Sequence, residues 1–184
     1  AIAGSQVLVV RSTKVTEETF AAADSLHLVI RAGAGTNTIA VDAAAESAVY
    51  VANCPGKNAV AVAELTMGLI LSLDREIPDN VASLRAGRWE KGRFSKGRGL
   101  MGRTMGIVGL GRIGQEVAAR AQAFGMEVCT YSMGLTEKQA RELGVENCAS
   151  VLELVERSDA ISVHVPLTDD TRHLIDVEAF ESMR

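Results

Sequence analysis

Thr104-Met105-Gly106-Ile107-Val108-Gly109-Leu110-Gly111-Arg112-Ile113-Gly114-Gln115-Glu116-Val117 decides how this chain folds. An apolar, strand-like run enters three glycines and leaves through residues of helical composition. A strand that turns straight into a helix presents free backbone N–H groups and the positive end of the helix dipole at one point, where a pyrophosphate can sit. Gly109 suits the tight turn, Gly111 the approach of backbone to phosphate, and Gly114 the close packing of helix on strand. Taken alone, the triplet also fits an ordinary strand-to-helix turn. The surrounding alternation favours nucleotide binding, because Glu127 to Tyr131 reads as a second strand at the right distance and Ala160 to Val165 as a third. Such fingerprints usually end in an acid about 20 residues on, which binds the adenosine ribose. Ser132 occupies that position here.

Upstream, strands are expected at Gln6 to Val10, His27 to Ile30 and Val49 to Asn53, with helices at Thr16 to Asp24 and Val41 to Ser47 between them. A long helix follows over Ala59 to Leu73, then a break at Pro78 and a helix over Asp79 to Ala86. Gly87 to Gly99 is basic and glycine-rich with no helical or strand period, and reads as a crossing between domains. Downstream of the glycine loop, helices are expected at Ile113 to Phe124, Thr136 to Leu143, Val151 to Arg157 and Asp176 to Ser182. Regular β-α-β order implies parallel sheets with right-handed crossovers. The expected fold is therefore α/β, with two doubly wound parallel-sheet domains, both incomplete in this chain. Residues 1–76 form a partial substrate domain, 77–101 an inter-domain helix and crossing, and 102–184 a partial dinucleotide domain.

The chain has 184 residues, 47% hydrophobic and 23% charged, with a net charge of −4. That balance describes a globular domain with a real core and does not indicate a nucleic-acid surface. No apolar run reaches the length of a membrane span. Cys54, Cys129 and Cys148 are odd in number and lack metal-ligand spacing, so they read as reduced thiols of a cytoplasmic protein, and no metal site is expected.

Three strand tips carry candidate binding residues. Arg31 to Thr36, with Ala34 and Gly35 at its centre, is a small-residue loop whose successive N–H groups could cradle a carboxylate, or could simply make a tight turn. Arg11 and Lys14 follow the first strand at its carboxyl end, where ligands collect in open α/β sheets; they are either a binding pair or solvated loop charges. Asn53 ends the third strand and could bind substrate or close the domain crossing, while Asn58 suits an N-cap of the long helix.

Val9-Val10-Arg11-Ser12-Thr13-Lys14, Arg31-Ala32-Gly33-Ala34-Gly35-Thr36-Asn37, Asn53-Cys54-Pro55-Gly56-Lys57-Asn58, Ala63-Glu64-Leu65-Thr66, Gly106 to Gly114 and His164-Val165-Pro166-Leu167-Thr168 occur in this order. Together they resemble the D-isomer-specific 2-hydroxyacid dehydrogenases over nearly the whole chain, and most closely the members that oxidise 3-phosphoglycerate at the entry to serine synthesis. The resemblance implies a flavodoxin-like substrate domain and a Rossmann-like nucleotide domain with a cleft between them. It further implies NAD as hydride carrier, a phosphorylated hydroxyacid as substrate, and a homodimer or homotetramer.

Under the resemblance, Arg11 and Lys14 face the substrate phosphate, and Ala34, Gly35 and Asn53 contact substrate. Gly109, Gly111, Arg112, Ile113, Gly114 and Ser132 line the cofactor, as do His164, Pro166 and Thr171. His164 lines the cofactor site and is not the catalytic base, and Pro166 ends its strand and shapes the cofactor wall. Thr168 and Thr171 either bind cofactor or are solvated. The catalytic Arg, Glu and His of the family are expected beyond Arg184, so these residues are expected to be part of a longer chain. Ser132 neither accepts both ribose hydroxyls nor repels a 2′-phosphate as an acid would, which leaves NADP open beside NAD. Two other readings stand beside this one: a glyoxylate or hydroxypyruvate reductase of the same family, and a nucleotide-sensing corepressor of similar fold.

Overall fold

The computed structural model describes residues 2–183. The chain divides into two compact units between Asn58 and Ala59. Each is an α/β unit with an all-parallel sheet, as the β-α-β alternation predicts.

The first unit runs β1 (Val7–Val10), α1 (Glu17–Ala21), β2 (Leu28–Arg31), α2 (Val41–Glu46) and β3 (Tyr50–Asn53), with strand order β1-β2-β3. Alternation along the strands sorts their side chains. Leu8, Val10, Val29 and Val51 face a core closed by Phe20 of α1 and Ala44 of α2. Val7, Val9 and Tyr50 are exposed. The register pairs Val10 with Arg31 and Arg31 with Asn53, so the three strands end level.

The second unit begins with α3 (Ala59–Asp74), α4 (Ile77–Arg85) and α5 (Lys91–Phe94). It continues through β4 (Thr104–Val108), α6 (Arg112–Ala123), β5 (Glu127–Tyr131), α7 (Glu137–Leu143), β6 (Glu146–Asn147), α8 (Val151–Arg157), β7 (Ala160–Val163) and α9 (Val177–Glu181). Its strand order is β6-β5-β4-β7. β4 is the central strand and is covered on both faces. Met105 and Ile107 pack with Val117, Ala118 and Ala121 of α6, while Val108 packs with Leu154 and Val155 of α8. A strand sandwiched in this way reads as a continuous apolar run, which is why Met105 to Val108 is so legible.

Three sequence expectations are corrected. The long helix α3 was grouped with the first domain, but its Ala63 and Met67 are buried in the same core as α6, so it belongs to the second unit. The stretch Gly87 to Gly99 contains one helical turn, α5, anchored by the buried Phe94. The strand expected over Ala160 to Val165 is β7 and ends at Val163, and the short edge strand β6 lies where no strand is expected. Pro78 does mark a boundary. It lies in the first turn of α4, where a missing N–H costs nothing.

A buried ionic cluster ties α3 to the base of this sheet. Asp74, with a side chain only 6% exposed, accepts hydrogen bonds from Arg103 Nη1 and the Gly99 amide, each at 2.9 Å. Asp159 accepts from the Thr104 amide at 2.9 Å and lies 3.6 Å from Arg103 Nε. Losing Asp74 leaves Arg103 with Asp159 as its one carboxylate partner in the cluster and the Gly99 amide without its acceptor, at a cost of about 1–3 kcal/mol. Asp74→Ala is therefore expected to destabilise the intact protein by about 2 kcal/mol in chemical denaturation. A loss below about 1 kcal/mol, typical of surface pairs, would show that the cluster does not hold α3 in place.

Candidate dinucleotide and carboxylate sites

In the order β6-β5-β4-β7, successive crossovers run one way from β4 to β6 and then reverse to reach β7. The point of reversal lies between the carboxyl ends of β4 and β7, where open α/β sheets bind ligands. The glycine loop sits there. Gly109 has φ +92°, a conformation that side chains resist, and a Cβ on it would lie 2.7 Å from Val165 Cγ1 and 2.8 Å from the His164 carbonyl oxygen. Its amide donates to the Tyr131 carbonyl at 2.9 Å. A Cβ on Gly114 would run into the Gly109 carbonyl. These two glycines are therefore explained by the protein's own packing.

Gly111 is different. It is the N-cap of α6 with φ −72°, and a Cβ there meets no protein atom within 4 Å. Neither backbone conformation nor packing requires glycine at this position, yet the open space lies over the N-terminus of a 12-residue helix. The first turn of any helix has N–H groups without intrahelical partners. A group that needs both the amides and the space above Gly111 fits, and a pyrophosphate has that shape and charge. Arg112 and Ile113 open the helix, Arg112 exposed and Ile113 half-buried. Gln115 Nε2 donates to the Leu110 carbonyl at 3.1 Å and so stiffens the loop from the helix side.

Ser132 follows β5, and its Oγ accepts from the Leu110 amide at 3.3 Å. The hydroxyl thus joins the tip of β5 to the glycine loop. Beside it lies a pocket of about 350 Å³ lined by Ser132, Met133, Gln139 and Glu142. Glu142 and Gln139 were not singled out from the sequence. Their only signal is a three-residue spacing on α7, which places both on one face.

At the tip of β7, the His164 amide donates to the Val108 carbonyl at 2.7 Å, and its ring Nε2 shares a hydrogen bond with Ser162 Oγ at 2.7 Å. Burial lowers the His164 pKa from its ordinary value, because a charged imidazolium is disfavoured away from water. Pro166 is exposed just past the strand. The Thr171 hydroxyl donates to the Pro166 carbonyl at 2.5 Å and accepts from the Thr168 amide at 2.8 Å, so it shapes the loop over residues 166–171. The pKa of the Cys148 thiol is pushed up to about 12, chiefly by burial, and Cys129 is buried too.

The first unit gathers Arg11, Ala34, Gly35 and Asn53 at the level carboxyl ends of its three strands. Three successive carbonyls of the loop after β2 are held. Gly33 accepts from the Cys54 amide at 2.9 Å, Ala34 from Asn53 Nδ2 at 2.6 Å, and Gly35 from Arg31 Nη1. In a trans peptide the N–H points opposite to the carbonyl. The amides of Ala34, Gly35 and Thr36 therefore point away from these donors, a run of N–H groups suited to an anion. Asn53, expected to contact substrate or close the domain crossing, spends its amide on the loop. Arg31 Nε also donates to the Arg11 carbonyl at 3.2 Å. Arg11 and Lys14 are exposed, and Lys14 borders a groove that Glu17 and Glu18 also line.

The two explanations of glycine separate by experiment. Gly111→Ala should change stability by less than about 1 kcal/mol and raise the NAD dissociation constant about tenfold or more, measured calorimetrically. Gly114→Ala should instead lower stability by about 1–3 kcal/mol, because the helix must move off β4. Unchanged NAD affinity in Gly111→Ala would remove the pyrophosphate from this loop.

Residues 67–184 match the family model for the D-isomer specific 2-hydroxyacid dehydrogenase, NAD binding domain. The chain is 46% identical to D-3-phosphoglycerate dehydrogenase of Methanocaldococcus jannaschii over 184 residues, all of this chain and 35% of that protein. It is also 46% identical to hydroxypyruvate reductase of Thermotoga maritima over 179 residues, 97% of this chain and 57% of that protein. A solved Thermus thermophilus structure superimposes with a TM-score of 0.91 at 31% identity, covering 100% of this chain and 58% of the other. The chain thus spans between about a third and somewhat over half the length of these relatives. An NAD fingerprint at the switch point of a Rossmann-ordered sheet, within a family match that runs from Met67 onward, shows that the chain belongs to the D-isomer-specific 2-hydroxyacid dehydrogenases.

Proposed function

We propose that this chain is the substrate- and NAD-binding part of a dehydrogenase that interconverts a D-2-hydroxyacid and its 2-oxoacid, with 3-phosphoglycerate as the preferred hydroxyacid. The first unit serves as the substrate domain and the second as the dinucleotide domain. The observation that carries the reading is the run of outward amides at Ala34, Gly35 and Thr36 beside the exposed Arg11, since all four groups suit a carboxylate-bearing anion.

Bound NAD would supply the hydride acceptor. The chain's own residues do the binding work. The amides of the glycine loop and the first turn of α6 neutralise the pyrophosphate, and the Ser132 hydroxyl and the pocket beside it receive the ribose end. His164 and the loop held by Thr171 wall the site. On the substrate side, the amides of residues 34–36 orient the carboxylate, which leaves the hydroxyl-bearing carbon free to react. A homodimer or homotetramer is the proposed assembly.

Arg11 is the residue on which a phosphate preference turns. Lys14 lines its groove together with Glu17 and Glu18, whose carboxylates offset the net positive charge of that groove. The same offset favours a second reading, a hydroxypyruvate or glyoxylate reductase, since one arginine is a thinner phosphate site than two cations. The relative named hydroxypyruvate reductase is as similar in sequence as the phosphoglycerate enzyme.

Arg11→Gln in the intact protein separates the two. If the phosphate rests on Arg11, the KM for 3-phosphoglycerate rises about tenfold or more while that for hydroxypyruvate changes less than about twofold. An equal rise for both acids would mean that Arg11 serves the shared carboxylate. No change for either would leave the phosphate preference without support.

A further inference from the structure

We infer that Arg31 and Asn53 are positioning residues: together they hold the loop after β2 with its amides turned outward, and neither acts by touching the substrate. The inference rests on the proposal that this loop receives the substrate carboxylate.

Both side chains come from strand tips, where register fixes their origin. Arg31 is the last residue of β2 and Asn53 the last of β3, and the two are paired in the ladder. They act on consecutive peptide groups. Asn53 Nδ2 takes the Ala34 carbonyl and Arg31 Nη1 takes the Gly35 carbonyl, while the Cys54 amide takes the preceding one. Peptide flips in a glycine-containing loop are cheap, because glycine accepts both signs of φ. Without donors on the strand side, the carbonyls of Ala34 and Gly35 could turn outward and present negative ends to the carboxylate. The braces make that turn costly by the price of two hydrogen bonds.

Arg31 suits the task better than a point charge would. Its planar fork bonds the loops after two strands at once, through Nε to the Arg11 carbonyl and Nη1 to the Gly35 carbonyl. A Cβ on Gly35 would lie 3.0 Å from Arg31 Nη1 and 3.1 Å from Asn37 Oδ1, so the glycine leaves the guanidinium its seat. Arg31 thereby also fixes the backbone that carries Arg11. One side chain sets the position of both the carboxylate amides and the candidate phosphate ligand.

The test uses the intact protein as wild type, Arg31→Lys, Asn53→Asp and the double variant, with 3-phosphoglycerate and hydroxypyruvate as substrates. Each single variant should raise both KM values about tenfold or more, with kcat within about twofold and the NAD dissociation constant unchanged. The double variant should be little worse than the poorer single one, because either break releases the same loop. Amide hydrogen exchange at Cys54, whose N–H holds the neighbouring carbonyl, should speed up in both single variants. Full rescue by lysine would show that Arg31 acts through its charge, and multiplicative losses would show direct and separate substrate contacts; either overturns the inference. Unchanged Cys54 exchange overturns it as well, whatever the kinetics. Wild-type protein that turns over no 2-hydroxyacid with NAD would instead overturn the proposed function, while the exchange measurement still decides whether the brace exists.

Discussion

The second unit depends on one close approach, the start of α6 against the end of β4. With no side chain at Gly114, the helix comes down onto the Gly109 carbonyl, and with φ +92° at Gly109 the chain can turn into it at once. Everything that makes the loop useful follows from that proximity. The helix N-terminus is held over the carboxyl end of the central strand, its first-turn amides face the switch point, and the wall formed by His164 and Val165 closes against Gly109. A helix set farther out would still fold, but its amides would face solvent and not a shared ligand position.

The first unit solves a related problem without a helix dipole. Its anion-suited amides belong to a loop, and loops of small residues do not hold their peptides in one orientation unaided. Side chains from neighbouring strand tips supply the constraint. The two units thus present backbone N–H groups at strand ends by different means: helix geometry in one, and hydrogen bonds to the opposite side of each peptide in the other. In both, charged or polar side chains near the loop act largely by shaping backbone. Ser132, Gln115, Asn53, Arg31 and Thr171 each bond to main-chain atoms.

Much of this was legible in the sequence, and the reasons are specific. β4 and the helix after it stand out because a strand covered on both faces is apolar throughout and because three glycines punctuate its end. The strand tips with Arg11, Gly35 and Asn53 were legible as a cluster because parallel strands of equal length end level. β6 was not, since Glu146 and Asn147 are both exposed and two residues carry no period. α5 is a single turn held by Phe94, too short for its pattern to show. The allegiance of α3 was hidden because an apolar helix does not declare which sheet it covers. The direction of a side chain is likewise absent from a sequence. A polar residue at a strand tip reads as a candidate substrate contact, and nothing in the sequence shows that the Asn53 Nδ2 donates to the Ala34 carbonyl. Arg31 looked like part of a loop, and only coordinates show it joining two.

A crystal structure of the intact protein with NAD and a 2-hydroxyacid bound tests the central claim most directly. Pyrophosphate oxygens should lie within hydrogen-bonding range, about 2.7–3.2 Å, of amides in the glycine loop and first turn of α6, and the substrate carboxylate within the same range of the amides at Ala34, Gly35 and Thr36. A carboxylate held by the Asn53 side chain with those amides turned away, or a pyrophosphate bound elsewhere than over Gly111, would contradict it.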